Sequence, residues 1–415
     1  MTDIEKQGAA ARDASAKLMI CRTSIKNEAL LNIASALEEK KQQVLDANAL
    51  DMENALKSGM SPSLMDRLAL DSGRIGDIAK GVREVAALTD PVGQVDKLET
   101  RPNGLVIGRK TVPLGVIAII YEARPNVTVD AAVLCIKSGN AVILRGGKEA
   151  FNSNNAFTEI MRGAVSEAGL PADAVSLVQD TTRDSVDALL NLTEYIDVLI
   201  PRGGAGLIDR VVANARVPVI ETGVGNCHVY VEASADLEMA ANIIFNAKCR
   251  RVSVCNAAET LLVDRAIAGE FLPMAKRILD TKNTELRGCH ETVSILGSGV
   301  MPATEEDFYT EFLDYILAVK VVSGLDEAIA HIGKYGSSHS EAIVTNDYNA
   351  SRRFLDEVDS AAVYVNASTA FTDGGEFGLG AEIGISTQKM HARGPMGLSQ
   401  LTSSKFVIYG NGQIR

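Results

Sequence analysis

The spacing of apolar positions changes once along the chain. Between residues 3 and 90 they recur with a helical period, as in "KNEALLNIASALEEKKQQVLDANALDMENALKSG", among abundant Ala, Leu, Glu and Lys. Such spacing lays one apolar stripe along a helix, so this stretch is expected to be helical. From about Leu105 the texture shifts to "GLVIGRKTVPLGVIAIIYE", rich in β-branched residues and broken by Gly and Pro, which predicts strands.

A repeating unit then sets in. "PLGVIAIIYE" precedes the helical "NVTVDAAVLCIKSG", "NAVILRGG" precedes "FNSNNAFTEIMRGAVSEAG", and "DAVSLVQD" precedes "RDSVDALLNL". "IDVLIPRGG" leads into "AGLIDRVVANA", and "VPVIETG" closes the series. Strands alternating with helices over short connections make a parallel sheet covered on both faces, with ligands expected at the carboxyl ends of its strands. A second series starts at "HVYVE" and runs through "ETLLVD", "AVKVVS", "EAIVTN" and "AAVYVN", with helices between the first four. The expected fold class is α/β with two parallel-sheet domains. Their assignment is 1–93 with 113–222, and 223–394, with a cleft between them. Two strand-like pieces, about Gln94 to Val112 and Lys405 to Ile414, fall outside both sheets, and 94–112 with 395–415 is expected to form a small β flap. An exposed edge strand invites pairing with another copy, so a homodimer or a dimer of dimers is expected.

At 415 residues the chain is too long for one core, in keeping with two domains. Its net charge of -12 argues against nucleic acid or an anionic membrane as partner. No apolar run reaches the ~20 residues of a membrane span. The opening "MTDIEKQGAAARDASAKLM" has no apolar signal core, so cytoplasmic residence is the expectation. Six dispersed cysteines, without CxxC spacing, suggest neither a disulfide scaffold nor zinc.

One cysteine stands out. In "RRVSVCNAAETLLV", Cys255 lies where a polar turn enters an apolar strand, behind Arg250 and Arg251 and close to Lys248. Positive charge favours thiolate, which makes Cys255 a nucleophile candidate, with Cys249 as its rival. The glycines Gly203, Gly204 and Gly206 open a helix and could receive phosphate there, or could simply make the turn. No GxGxxG follows the first strand of the series. In "ILRGGKE", Arg145 and Lys148 lie just past a strand's carboxyl end, where two cations would suit a 2′-phosphate. His331 and His339, eight residues apart across a glycine turn, read as structural or loop-ordering residues, and no metal is assigned.

Four blocks in order carry a resemblance. They are "RPNGLVIGRKTVPLGVIAIIYEARPNVTVDAAVLCIKSGNAVILRGGKEA", "VPVIETGVGNCHVYVE" with "VCNAAETLLV", "VSGLDEAIAHIGKYGSSHSEAIVT", and "GAEIGISTQKMHARGPMGL". Together they resemble the gamma-glutamyl phosphate reductases of the aldehyde dehydrogenase superfamily, nearly end to end. The resemblance implies an aldehyde-dehydrogenase-like fold and a reaction. NADPH would reduce L-glutamyl 5-phosphate to L-glutamate 5-semialdehyde and phosphate through a cysteine thioester, the second step of proline biosynthesis. It implies Cys255 as nucleophile, Asn126 as oxyanion donor and Glu221 as base. On the cofactor it implies Arg145 at the adenosine ribose and Glu311 at the nicotinamide ribose. It favours NADP over NAD. The loop "VNASTAFTDGGEFGLG" resembles the one that grips the substrate's far end, which makes Ser368 and Thr369 candidates for the head-group carboxylate. A glutamate 5-kinase would supply the acyl phosphate and is an expected functional partner. Without the resemblance, Asn126 reads as a turn former after Pro125, Glu221 as a solvated strand-end acid and Glu311 as one of an acidic run. Two other readings stay open: a hydrolytic aldehyde dehydrogenase acting on a small semialdehyde, and a non-catalytic member of the superfamily.

Overall fold

The computed structural model describes every residue except Ala123, and every other side chain except those of Pro62 and Ser63. Two compact units emerge. The first is Met1–Thr222 with Gly378–Gly384 and Met396–Arg415, and the second is Gly223–Phe377 with Ile385–Pro395. The expected segment 223–394 is therefore interrupted, because residues 378–384 pack with the first unit.

The first unit begins with the helices Asp3–Leu18, Thr23–Glu39, Lys41–Lys57, Pro62–Leu68 and Ser72–Ala87. Their apolar stripes supply core residues such as Leu18, Leu30, Ile33 and Leu37, none of them exposed. Strands β1 (Val95–Thr100), β2 (Val106–Pro113), β3 (Val116–Tyr121), β4 (Ala141–Arg145), β5 (Val175–Leu177) and β6 (Val198–Arg202) follow. The last four form a parallel sheet in the order β5-β4-β3-β6. Every residue of β3 is buried, as an unbroken apolar run in a parallel sheet should be. Val219 adds a parallel bridge to Leu199, so "VPVIETG" extends this sheet by a single rung rather than a full strand.

The second unit contains β7 (Cys227–Val231), β8 (Ala258–Asp264), β9 (Glu285–Gly288), β10 (Met301–Pro302), β11 (Ile316–Val322), β12 (Ser340–Val344) and β13 (Ala362–Val365). These make one parallel sheet in the order β10-β9-β11-β8-β7-β12-β13. Three of the helices between them start on aspartates: Asp236, Asp264 and Asp347 each accept a backbone N–H of the following first turn. A cap of this kind is typically worth ~1 kcal/mol. Two-residue strands β14 (Ile385–Ser386) and β15 (Gly394–Pro395) pair antiparallel.

The final strand, β16 (Thr402–Tyr409), returns to the first unit and pairs along the whole of β2, giving the antiparallel sheet β1-β2-β16. Strand character stops at Tyr409 instead of continuing through the tail. Along β1 every residue is exposed. Leu98, Phe406, Ile408 and Tyr409 of this sheet are more than half exposed. Among the described residues, no helix is long and apolar enough to cross a membrane.

Candidate active site

Cys255 sits in the turn between the helix Leu237–Cys249 and β8, partly exposed, while the strand it precedes is wholly buried. Both carbonyls after it are held. Cys227 Sγ donates to Cys255 O at 3.2 Å, and Thr369 Oγ1 donates to Asn256 O at 2.7 Å. The Asn256 amide in turn donates to Ala370 O at 3.2 Å and Thr372 O at 3.0 Å. Gly225 presses backbone to backbone on the cysteine: a Cβ there would lie 1.6 Å from Cys255 O. Only glycine fits so close an approach. The Gly225 N–H donates to Glu311 Oε1 at 2.8 Å, which connects Glu311 to the cysteine turn through a single residue.

The charges around the thiol differ from the expectation. Lys248 is fully buried on the inner face of its helix and paired with Glu259 at 2.5 Å. Burial pushes the Glu259 carboxyl up to about 7, although Lys248 pulls it down. Arg250 and Arg251 are exposed. Glu259 also accepts the Leu313 N–H at 3.2 Å. Leu313 is left-handed (φ 53), a conformation that costs a branched residue energy and persists only when its surroundings hold it. The Lys248–Glu259 pair thus anchors the loop that carries Glu311. Cys249, the rival nucleophile, is buried against Thr284, and burial raises its thiol pKa.

The two residues expected at the substrate head group have internal roles. Thr369 is fully buried, with its hydroxyl donated to Asn256 O, beside Cys255. Ser368 is nearly buried and accepts the Ala370 N–H at 3.2 Å, capping a short helical turn; its own O–H remains a donor. His331 and His339 are both buried. His331 packs against His228, Phe308 and Tyr335, and burial drives its pKa down to about 2, so the ring is neutral. Beside it, His228 and Glu341 occupy paired positions on β7 and β12, and Nδ1 lies 2.9 Å from Oε2.

In the first unit, Asn126 is the second residue of the helix Pro125–Lys137, partly exposed. Its Nδ2 donates to Asp130 Oδ2 at 2.9 Å, one turn along the same face. Glu221 is partly exposed just past the Val219 bridge. Arg145 does not reach outward: its guanidinium donates to Thr181 O at 2.7 Å, to Thr182 O at 2.9 Å, to Gly146 O and to Ser185 Oγ. It holds the loop after β5 in place. Gly203 and Gly204 do open the helix Ala205–Asn214, but the Gly204 N–H donates to Glu122 Oε2 at 2.9 Å, and a Cβ on Gly203 would meet the same carboxylate at 2.6 Å. The Glu122 carboxylate therefore lies at that helix end. Lys148 is exposed at the start of a short helical turn after β4.

The comparisons with known proteins agree with the architecture. The aldehyde dehydrogenase family model matches residues 1–285. The gamma-glutamyl phosphate reductase of Carboxydothermus hydrogenoformans is 62% identical over 405 residues, covering 98% of this chain and 97% of that one. Its counterpart from Clostridium novyi is 60% identical with the same coverage of 98% and 97%. The crystal structure of gamma-glutamyl phosphate reductase from Thermotoga maritima superposes with a TM-score of 0.96 at 50% identity, covering 99% of both chains. The chain belongs to the aldehyde dehydrogenase family, among its gamma-glutamyl phosphate reductases. It is therefore an oxidoreductase with the aldehyde-dehydrogenase-like α/β fold. For this family member, the residues that sequence reasoning missed are Gly225, Asp130 and the Thr369–Asn256 contact. Gly225 stands in the glycine pair of "ETGVGNC", and Asp130 stands four residues after Asn126 on one helix, so both left a trace in the sequence.

Proposed function

We propose that this oxidoreductase reduces L-glutamyl 5-phosphate to L-glutamate 5-semialdehyde and inorganic phosphate with NADPH, in the cytoplasm, as the second step of proline biosynthesis. The observation that carries this reading is Cys255. It is the partly exposed cysteine in a turn whose carbonyls are pinned on both sides, in a chain 62% identical to a gamma-glutamyl phosphate reductase.

The Cys255 thiolate attacks the γ-carbonyl carbon, and the carbon–oxygen bond to phosphate breaks with its electron pair leaving on phosphate. The product of that step is a glutamyl thioester, so one difficult displacement becomes two easier ones. Asn126 donates to the carbonyl oxygen as it gains charge, a contribution typically worth ~3 kcal/mol. Glu221 accepts the thiol proton beforehand. The chemistry that NADPH supplies when bound is a hydride at the thioester carbonyl. The residues that would hold it are Lys148, whose exposed ammonium suits a 2′-phosphate, and Glu311, whose second oxygen is free to accept from the nicotinamide ribose. Arg145 supports from behind by fixing the β5 loop. Ser368 and neighbouring backbone amides serve the head-group carboxylate. The first unit acts as the dinucleotide-binding domain and the second as the catalytic domain. The β1-β2-β16 sheet acts as an oligomerisation flap, with its apolar side covered by a second copy in a homodimer or a dimer of dimers. A glutamate 5-kinase supplies the acyl phosphate.

The test is the reverse reaction, semialdehyde oxidation, with wild type beside Cys255→Ala, with and without phosphate, and with NADP and NAD in turn. Phosphate-dependent, NADP-preferring turnover that disappears with the cysteine is expected. Turnover without phosphate or arsenate would place the enzyme among hydrolytic aldehyde dehydrogenases instead.

A further inference from the structure

We propose that Asp130 is the positioning residue of the oxyanion donor: its carboxylate holds the Asn126 amide by the nitrogen, so that an N–H, and not the amide oxygen, faces the reacting carbonyl. The inference rests on the assignment of Asn126 as that donor.

An asparagine amide has a donating end and an accepting end of nearly the same shape. Presented the wrong way round, its oxygen would repel a developing alkoxide where its nitrogen stabilises it. Something must therefore decide which end points where. Asn126 lies in the first turn of its helix, and its Nδ2 is 2.9 Å from Asp130 Oδ2. An ionised carboxylate has no hydrogen to give, so it can only accept. The nitrogen is thereby drawn to Asp130 and the flipped amide is excluded, since it would set oxygen against oxygen. One N–H is used in this bond, and the other meets no acceptor among the described residues. The spacing of four residues on one helical face makes the contact local, so it persists whatever the rest of the unit does.

Asp130 is also an expensive residue to keep ionised. Burial raises its carboxyl to about 6, opposed by the bond from Asn126 and by Arg202 at the end of β6. Protonated, it becomes a donor as well, can bond to the amide oxygen, and loses its one-way character. Activity should then fall as the pH drops through that range.

The test uses the full chain in phosphate-dependent semialdehyde oxidation, with Asp130→Asn, Asn126→Ala and the double variant. Asparagine at 130 matches aspartate in shape but both donates and accepts, so it removes the orientation without opening a cavity. For Asp130→Asn we expect kcat lowered about tenfold with KM within twofold, against the ~100-fold loss from removing an oxyanion donor outright. The acid limb of kcat near pH 6 should vanish, and the double variant should be no slower than Asn126→Ala alone. A purely structural role predicts a lowered melting temperature, losses that multiply in the double variant and an unchanged pH profile; that result would overturn the inference. Full activity in Asn126→Ala would instead remove the oxyanion assignment beneath it. A slow Asn126→Ala beside an unimpaired Asp130→Asn would sink this inference alone.

Discussion

Alanine at Gly225 tests whether the cysteine turn is as tightly built as its contacts imply. The added Cβ would lie 1.6 Å from Cys255 O, 2.3 Å from its carbonyl carbon and 2.5 Å from its Cα. Real contacts begin near 3.0 Å, so the two backbones must separate by about 1.4 Å. No flexible side-chain tip is available to yield, because all three atoms are backbone. The turn also resists, since Cys227, Thr369 and Asn256 hold it at three points. A displacement of this size at the proposed nucleophile should lower kcat/KM about 100-fold or more. Overpacking should cost about 1–3 kcal/mol of stability. Turnover, the rate of iodoacetamide labelling at Cys255 and the melting temperature should be measured together. Gly269→Ala serves as control, because nothing lies within 4 Å of its Cβ position. A Gly225→Ala protein with kcat/KM within threefold of wild type and unchanged labelling would show that the turn moves freely, and the argument from close packing would fail.

Other consequences can be checked alongside. Lys248→Met should destabilise by ~3–5 kcal/mol in urea, because it strands the buried Glu259, and adding Glu259→Gln should recover most of the loss. Thr369→Val should lower kcat while leaving the KM for the semialdehyde unchanged, whereas a head-group ligand would raise KM; Thr369→Ser, which keeps the hydroxyl, should behave as wild type. The His331 pKa is lowered from 6.5 to about 2, so its contribution to stability is complete above about 6.5 and is lost as the pH falls below that. His331→Phe, among Phe308 and Tyr335, should therefore flatten the acid side of the stability profile followed by urea midpoints.

The strands of both sheets were legible wherever the chain carries a mostly apolar, β-branched run, unbroken in β3 and interrupted by a few polar residues in β7, β8 and β12. Strand β9 was not. Its four residues, Glu285–Gly288, alternate partly exposed charge with buried Leu286 and Gly288, and a run so short and polar carries no strand signal. The same holds for the helix Tyr348–Glu357, whose only fully buried side chain is Phe354. At the candidate site, the cysteine, the asparagine and the acids became candidates through the resemblance, whose chemistry requires those residue types. What the sequence could not show is which polar groups face inward. Arg145 and Lys148, three residues apart, looked equivalent as phosphate ligands, yet one donates to three backbone carbonyls and the other projects from the surface.

The same ambiguity explains the charges before Cys255. Three cations lie within four residues at the end of one helix, and a linear reading sums them into a single positive field. Lys248 lies within the helix, which ends at Cys249, whereas Arg250 caps it and Arg251 lies beyond. Lys248 falls on the buried face and meets Glu259, while Arg250 and Arg251 fall outside. Glu259 then accepts from Leu313, two residues from Glu311, and Glu311 accepts from Gly225, which abuts Cys255. This chain of contacts makes the lysine's expected effect on the cysteine geometric, through a buried pair that fixes a strained loop. A field effect would weaken with salt, whereas a buried pair is screened far less. The iodoacetamide rate at Cys255 should accordingly respond to Glu259→Gln, which loosens the anchor, more than to added potassium chloride. The opposite order would restore the electrostatic reading.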